Sequence, residues 1–131
     1  RDCKMVCEKY KISFKFNSYF PIKTVNLMRG MLIAEEDGIA NNYIDKFFEA
    51  MWVSGLNLND QQVVDKILKN LDINPKTFSL RLSNQNLKDG LKKKTQEAYE
   101  KGVFGAPTFV VNNKVFWGQD RLEYALAESL K

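Results

Sequence analysis

Residues 102–121 read GVFGAPTFVVNNKVFWGQDR, and their parts fall in the order strand, hairpin, helix. Thr108 to Val111 is a β-rich run entered through Ala106-Pro107, and Lys114 to Trp117 is its partner. Asn112-Asn113 stands between them; asparagine tolerates the positive φ that a two-residue hairpin turn demands. Gly118 and the acidic start Gln119-Asp120 then open a helix. Pro107 sits at the entry of the first strand, where its missing N–H costs no ladder bond. An X-Pro bond at such a corner is a candidate for the cis form. A corner of that kind can present its flanking backbone groups to a ligand.

Outward from this stretch the chain is mostly helical. Ser83 to Lys101 reads as a long lysine-rich helix with Leu87, Leu91, Thr95 and Ala98 on its buried side, stopped by Gly102. Asn74 followed by Pro75 is a cap with proline at the first helical position. Asn59 is expected to cap a helix carrying Val63, Ile67 and Leu71. Ala40 to Val53 places Tyr43, Phe47, Ala50 and Met51 on one stripe, and Ser54-Gly55 ends it. Thr24 to Glu36 repeats Val25, Met28 and Leu32 at helical spacing, with Thr24 as N-cap and Gly38 as its end. Ile12, Phe14 and Phe16 alternate with polar residues as a strand or extended segment. Asn17 to Pro21 is a loop, and Asp2 to Tyr10 the end of a helix. The last helix is expected to carry a stripe of Leu122, Ala125, Leu126 and Ser129.

With 131 residues the chain is one domain or part of one. Its net charge of +4 is modest. Lys92, Lys93 and Lys94 read as a solvated helix face rather than a nucleic-acid site, and no nucleic-acid motif is present. No apolar run is long enough to span a bilayer, and no secretory leader is visible. The chain opens on Arg1 rather than Met, so a preceding segment is expected. Cys3 and Cys7 are four apart on one helix face. That is neither a C-x-x-C redox motif nor zinc spacing; they read as small core-facing hydrophobes, and reduced thiols suit a cytoplasmic protein. The sequence has no histidine. Ser-His and Cys-His dyads and histidine-based metal sites are therefore excluded, and no metal is expected. Acid–base chemistry falls to carboxylates, lysine, tyrosine or a bound cosubstrate.

Three pieces, KISFKFNSYFPIKT, GVFGAPTF and FWGQDR, resemble the 2-hydroxychromene-2-carboxylate isomerases and their kappa-class glutathione transferase relatives. The stretch EEDGIANNYIDKFFEAMWVSGLNLNDQQVVDKIL resembles the helical insertion of that family. The proline corner is shared with many thioredoxin-fold proteins, DsbA-type oxidoreductases among them; FWGQDR is more specific to the glutathione-using branch. The resemblance implies a thioredoxin-like α/β fold with an inserted all-helical domain. Residues 1–23 would be a remnant of the thioredoxin-like domain, 24–102 the helical insertion, and 103–131 the C-terminal strand-strand-helix. The N-terminal strand-helix-strand unit is lacking. Two paired strands make a weak sheet by themselves, so a preceding segment or another chain is expected to complete it.

The implied function is a glutathione-dependent isomerase that holds glutathione as cosubstrate. It would act by reversible thiolate addition to a small conjugated, aromatic-derived substrate, and the family implies a homodimer. A kappa-like glutathione transferase, a DsbA-type oxidoreductase, and a non-catalytic fragment or binding module using an open sheet edge are the alternatives. In the families resembled, the residue before the proline binds the cysteinyl part of glutathione, which points to Ala106 with Pro107. The GxD segment, here Gly118, Gln119 and Asp120, takes the γ-glutamyl end. Read from residues alone, Asp120 is also an N-cap with Glu123 three positions on, and the two roles are compatible. Trp117 either walls this cleft or is core. Arg121 reads as an anchor of the helix start to a nearby acid. Phe20 falls where the isomerases carry a tyrosine of the substrate pocket; its hydroxyl is missing, and Tyr19 is next door. Trp52 and Phe48 read either as a lid over an apolar substrate or as helix core. The catalytic serine of the family lies at the end of its first strand. No residue of this sequence inherits that role, so the catalytic residue is unknown.

Overall fold

The computed structural model describes residues 2–131. In order these form α1 (Asp2–Tyr10), α2 (Val25–Glu36), α3 (Ala40–Glu49), a π turn (Ala50–Ser54), α4 (Gln61–Asn70), α5 (Pro75–Leu82), α6 (Gln85–Glu100), β1 (Thr108–Val111), β2 (Lys114–Trp117), a 3-10 turn (Gln119–Arg121) and α7 (Leu122–Ser129). The chain divides into two compact units, Arg1–Lys88 and Asp89–Lys131.

The first unit is helical and has a continuous core. Ile33 and Ala34 of α2, Tyr43 and Phe47 of α3, Ile67 and Leu68 of α4 and Phe78 of α5 pack together. The stripe Tyr43, Phe47, Ala50 and Met51 expected from helical spacing is buried throughout. Gly30 lets these helices approach: a Cβ there would collide with the Tyr43 hydroxyl and the Phe78 ring. That hydroxyl donates to Leu27 O at 3.0 Å, and burial pushes the phenol well above its usual pKa. At the surface Arg81 of α5 forks onto Asp37 at 2.6 and 3.0 Å and reaches Glu36 at 3.0 Å. Its hydrogen bonds hold the Asp37 carboxyl below the usual carboxylate range.

The helix starts show what local pattern can and cannot assign. Asn74 caps α5, its Oδ1 accepting from Lys76 N and Thr77 N, with Pro75 following. The cap of α4 is Asp60 rather than Asn59; Asp60 Oδ1 accepts from Gln62 N at 2.9 Å. Asn59 Oδ1 instead accepts from Lys23 N at 2.9 Å. Thr24 occupies the N-cap position of α2 but makes no side-chain cap bond.

The helix expected over Ala40 to Val53 changes character at Ala50 and continues as the π turn, closed by Gly55 at φ 68°. The turn is held by Asn17, which is fully buried. Asn17 Nδ2 donates to Met51 O at 3.0 Å and Leu56 O at 2.8 Å, and its Oδ1 accepts from Tyr19 N at 2.8 Å. Lys15 N also donates to Trp52 O at 2.6 Å. Ile12 to Phe16 therefore forms no strand among the described residues and is tied to the π turn at Lys15. The cysteines do not face a core: Cys3 is exposed and Cys7 half-buried, because α1 buries none of its residues.

The second unit is built on the hairpin. β1 and β2 pair antiparallel in the register Thr108↔Trp117, Phe109↔Phe116, Val110↔Val115 and Val111↔Lys114. Asn112 and Asn113 both have positive φ, 48° and 60°, as the two-residue turn requires. α7 lies against the hairpin through Ala125 and Glu128, which are buried. Leu122 and Leu126, expected on that stripe, are exposed. Glu128 takes the inner position because Lys114 Nζ at 2.9 Å and Lys131 Nζ at 3.0 Å pair with its two oxygens. Asn112 Nδ2 also donates to its backbone carbonyl. The hydrogen bond from Lys114, then that from Lys131, brings its pKa down to about 2. On α6, Leu91 and Ala98 are half-buried, whereas Thr95 is exposed. Its hydroxyl donates back to Leu91 O at 2.8 Å.

Candidate functional site

The corner before β1 leaves the backbone groups of one residue, Ala106, without a partner among the described residues. The Ala106-Pro107 peptide is cis, as is Phe20-Pro21. Pro107 O accepts from Gly118 N at 2.9 Å, which extends the ladder one step beyond the strands. Thr108 Oγ1 donates to Gly105 O at 2.6 Å. Ala106 itself is exposed, and neither its N–H nor its C=O has a partner among the described residues. Two unspent backbone groups on an exposed corner are suited to pairing with an extended peptide.

Trp117 stands beside this corner. Its indole covers Gly105 so closely that a Cβ on Gly105 would overlap Nε1. Phe104 packs against Trp117, ring centroids 5.1 Å apart. Trp117 is still 54% exposed, so it is not core. Gly105 and Phe104 are the residues that seat it; a glycine before Ala-Pro was the only trace of this in the sequence. Gly118 follows at φ 107°, and a Cβ there would overlap Asp120 Oδ1.

The 3-10 turn then carries Gln119 and Asp120 exposed. Asp120 is not the N-cap of α7. That position is Arg121, and no side chain caps the helix, because the 3-10 turn intervenes. The Asp120 carboxylate lies 3.9 Å from Arg121 Nε, a loose surface pairing worth little. Arg121 finds this neighbouring acid and also lies over the Tyr124 ring at 5.6 Å.

In the first unit, Phe20 and Trp52 are brought together with rings 5.8 Å apart. Phe14 stacks on Trp52 at 6.0 Å, and Phe16 touches both Phe20 and Trp52. The π turn positions Trp52, and Asn17 positions the loop that carries Phe20. Phe16 and Phe20 remain more than half exposed, so the cluster is an open aromatic surface. Tyr19 joins none of these rings among the described residues. Phe48 is 63% exposed, which rules out the core reading for it. Among the described residues no group of His, Cys, Asp and Glu side chains is arranged to hold a metal ion, and no helix is long and apolar enough to cross a membrane.

The family model of the DSBA-like thioredoxin domain matches residues 1–131. A 2-hydroxychromene-2-carboxylate isomerase of Sphingobium xenophagum is 24% identical over 123 residues, 94% of this chain and 62% of that protein. One of Pseudomonas putida is 24% identical over 121 residues, 92% of this chain and 59% of that protein. A solved structure of selenomethionine 2-hydroxychromene-2-carboxylate isomerase superimposes with TM-score 0.84 at 22% identity, covering 96% of this chain and 61% of that one. The chain thus spans about three-fifths of the length of the curated relatives it matches. The thioredoxin-like α/β fold expected from the proline corner, the hairpin and the last helix is the fold observed, and the chain belongs to the family of DSBA-like thioredoxin domains.

Proposed function

We propose that this protein is a glutathione-dependent isomerase of a conjugated, aromatic-derived substrate. The observation that carries this reading is the unpaired backbone of Ala106, exposed next to the Gly105 that Trp117 covers. The similarity to 2-hydroxychromene-2-carboxylate isomerases over more than nine-tenths of the chain supports it. Glutathione, when bound, supplies a thiolate that adds reversibly to a conjugated double bond and so permits its rotation.

The residues of this chain hold and orient. Ala106 N–H and C=O pair with the cysteinyl backbone as an added strand would. Backbone N–H groups at Gln119 and Asp120 receive the γ-glutamyl carboxylate, since the first N–H groups of a helical turn lack internal acceptors. The Asp120 carboxylate takes the ammonium. Trp117 shields the corner from water. Phe20 and Trp52 offer an apolar surface for the substrate, with Tyr19 supplying the hydroxyl that Phe20 lacks.

The test is calorimetric titration of the protein with glutathione, together with Asp120→Ala. Losing a charge-assisted bond should weaken binding by about 1.5–3 kcal/mol. Absence of binding at millimolar glutathione, or unchanged affinity in the variant, rejects the assignment. Conversion of 2-hydroxychromene-2-carboxylate that depends on added glutathione separates the isomerase from a protein that only binds the tripeptide.

A further inference from the structure

We propose that the cleft between α2, α4 and α5 binds a carboxylate carried on an apolar body, with the Arg29 guanidinium as its counter-charge. The cleft encloses about 750 Å³ and is built from residues between Pro21 and Lys88. That size is within the range of small-molecule sites. It shares no residue with the Ala106 corner or with the aromatic cluster, so the assignment stands whether or not glutathione binds.

Charge is the first observation. Three cations line the cleft, Lys23, Arg29 and Lys88, and no Asp or Glu does. None of the three forms a salt bridge among the described residues. The state of Arg29 is the second. Its Nη1 makes one long bond, 3.4 Å to Asn26 Oδ1, and its Nε is covered by protein with no acceptor. A half-buried guanidinium without an anion is costly, and its planar fork matches a carboxylate with two parallel bonds. By contrast Arg81, on the outer surface, has two acids of its own.

The walls are the third observation. Leu27, Val64 and Leu82, each half-buried, give the cleft an apolar lining, which an inorganic oxyanion would leave unused. Ser79 adds a hydroxyl to the lining. A benzoate-like molecule satisfies both halves.

The experiment is a ¹H–¹⁵N NMR titration of the protein with benzoate, benzamide and inorganic phosphate. Benzoate should give saturable shifts in the amides of α2 and α5 at concentrations on the order of 10 mM, and benzamide should not. Arg29→Gln, with a native-like spectrum, should weaken benzoate roughly tenfold or more. No saturable shift with benzoate, equal response to benzamide, or unchanged affinity in Arg29→Gln overturns the assignment. Phosphate binding as tightly as benzoate overturns its apolar half. Should Arg29→Gln fail to fold, the double variant Lys23→Gln, Lys88→Gln decides. Affinity weakened about threefold supports the site, and unchanged affinity rejects it.

Discussion

The two compact units bury their side chains in different ways. The first closes ten residues into one core drawn from four helices and their connections. The second buries only Ala125 and Glu128 among its described residues, and one of those is charged. The helical unit is thus held mainly by apolar burial, whose worth scales with area removed from water. The hairpin unit relies on a ladder, a tight turn and a paired carboxylate, each of smaller net worth. The groups assigned to glutathione sit in the sparsely buried unit, where backbone and aromatic surface remain free.

The largest effect that tests this contrast is expected in the first unit. Leu68, 1% exposed, replaced by Ala should cost about 2–5 kcal/mol in denaturant unfolding. Leu130→Ala in the second, at a position 88% exposed, should cost within about 0.5 kcal/mol. Comparable losses would abolish the distinction. Asn17→Ala comes next. It strands the carbonyls of Met51 and Leu56 at a cost of about 1–3 kcal/mol. It should also alter the near-ultraviolet circular dichroism of the Trp52 cluster, and an unaltered spectrum would mean that the π turn holds itself.

The smallest effect is electrostatic. Folding lowers the Glu128 pKa from 4.5 to about 2, so the native state prefers the charged form. Its contribution is complete above pH 4.5 and is lost as pH falls through the folded value. Glu128→Gln should remove that part of the acid-induced fall in melting temperature. An identical fall in both proteins would show that the Lys114 and Lys131 contacts do not shift the titration.

Much of the fold was legible because its signals are local. Asn112-Asn113 dictates its turn, Asn74-Pro75 its helix start, and Tyr43 to Met51 its buried stripe. What was illegible depends on partners far along the chain. Asn59 is drawn from capping by Lys23, and Thr95 satisfies its hydroxyl on its own helix. Cys3 is exposed because α1 buries none of its residues. The π turn left no local mark, since Asn17 stabilises it from 34 residues away. The residues at the proline corner were visible through resemblance, but the seating of Trp117 on Gly105 required coordinates. Arg29 carries no local signature, because a lone arginine on a helix is ordinary until it is found without a salt bridge among the described residues.

The π turn has one more consequence. An α-helix advances about 100° per residue, and the wider turn slows that rotation over Ala50 to Ser54. Trp52 therefore sits at an azimuth that an unbroken helix would assign to a neighbouring position. Shortening this stretch by a single residue would rephase everything after it. The indole would swing off the phenylalanines without any of those aromatic side chains having been replaced.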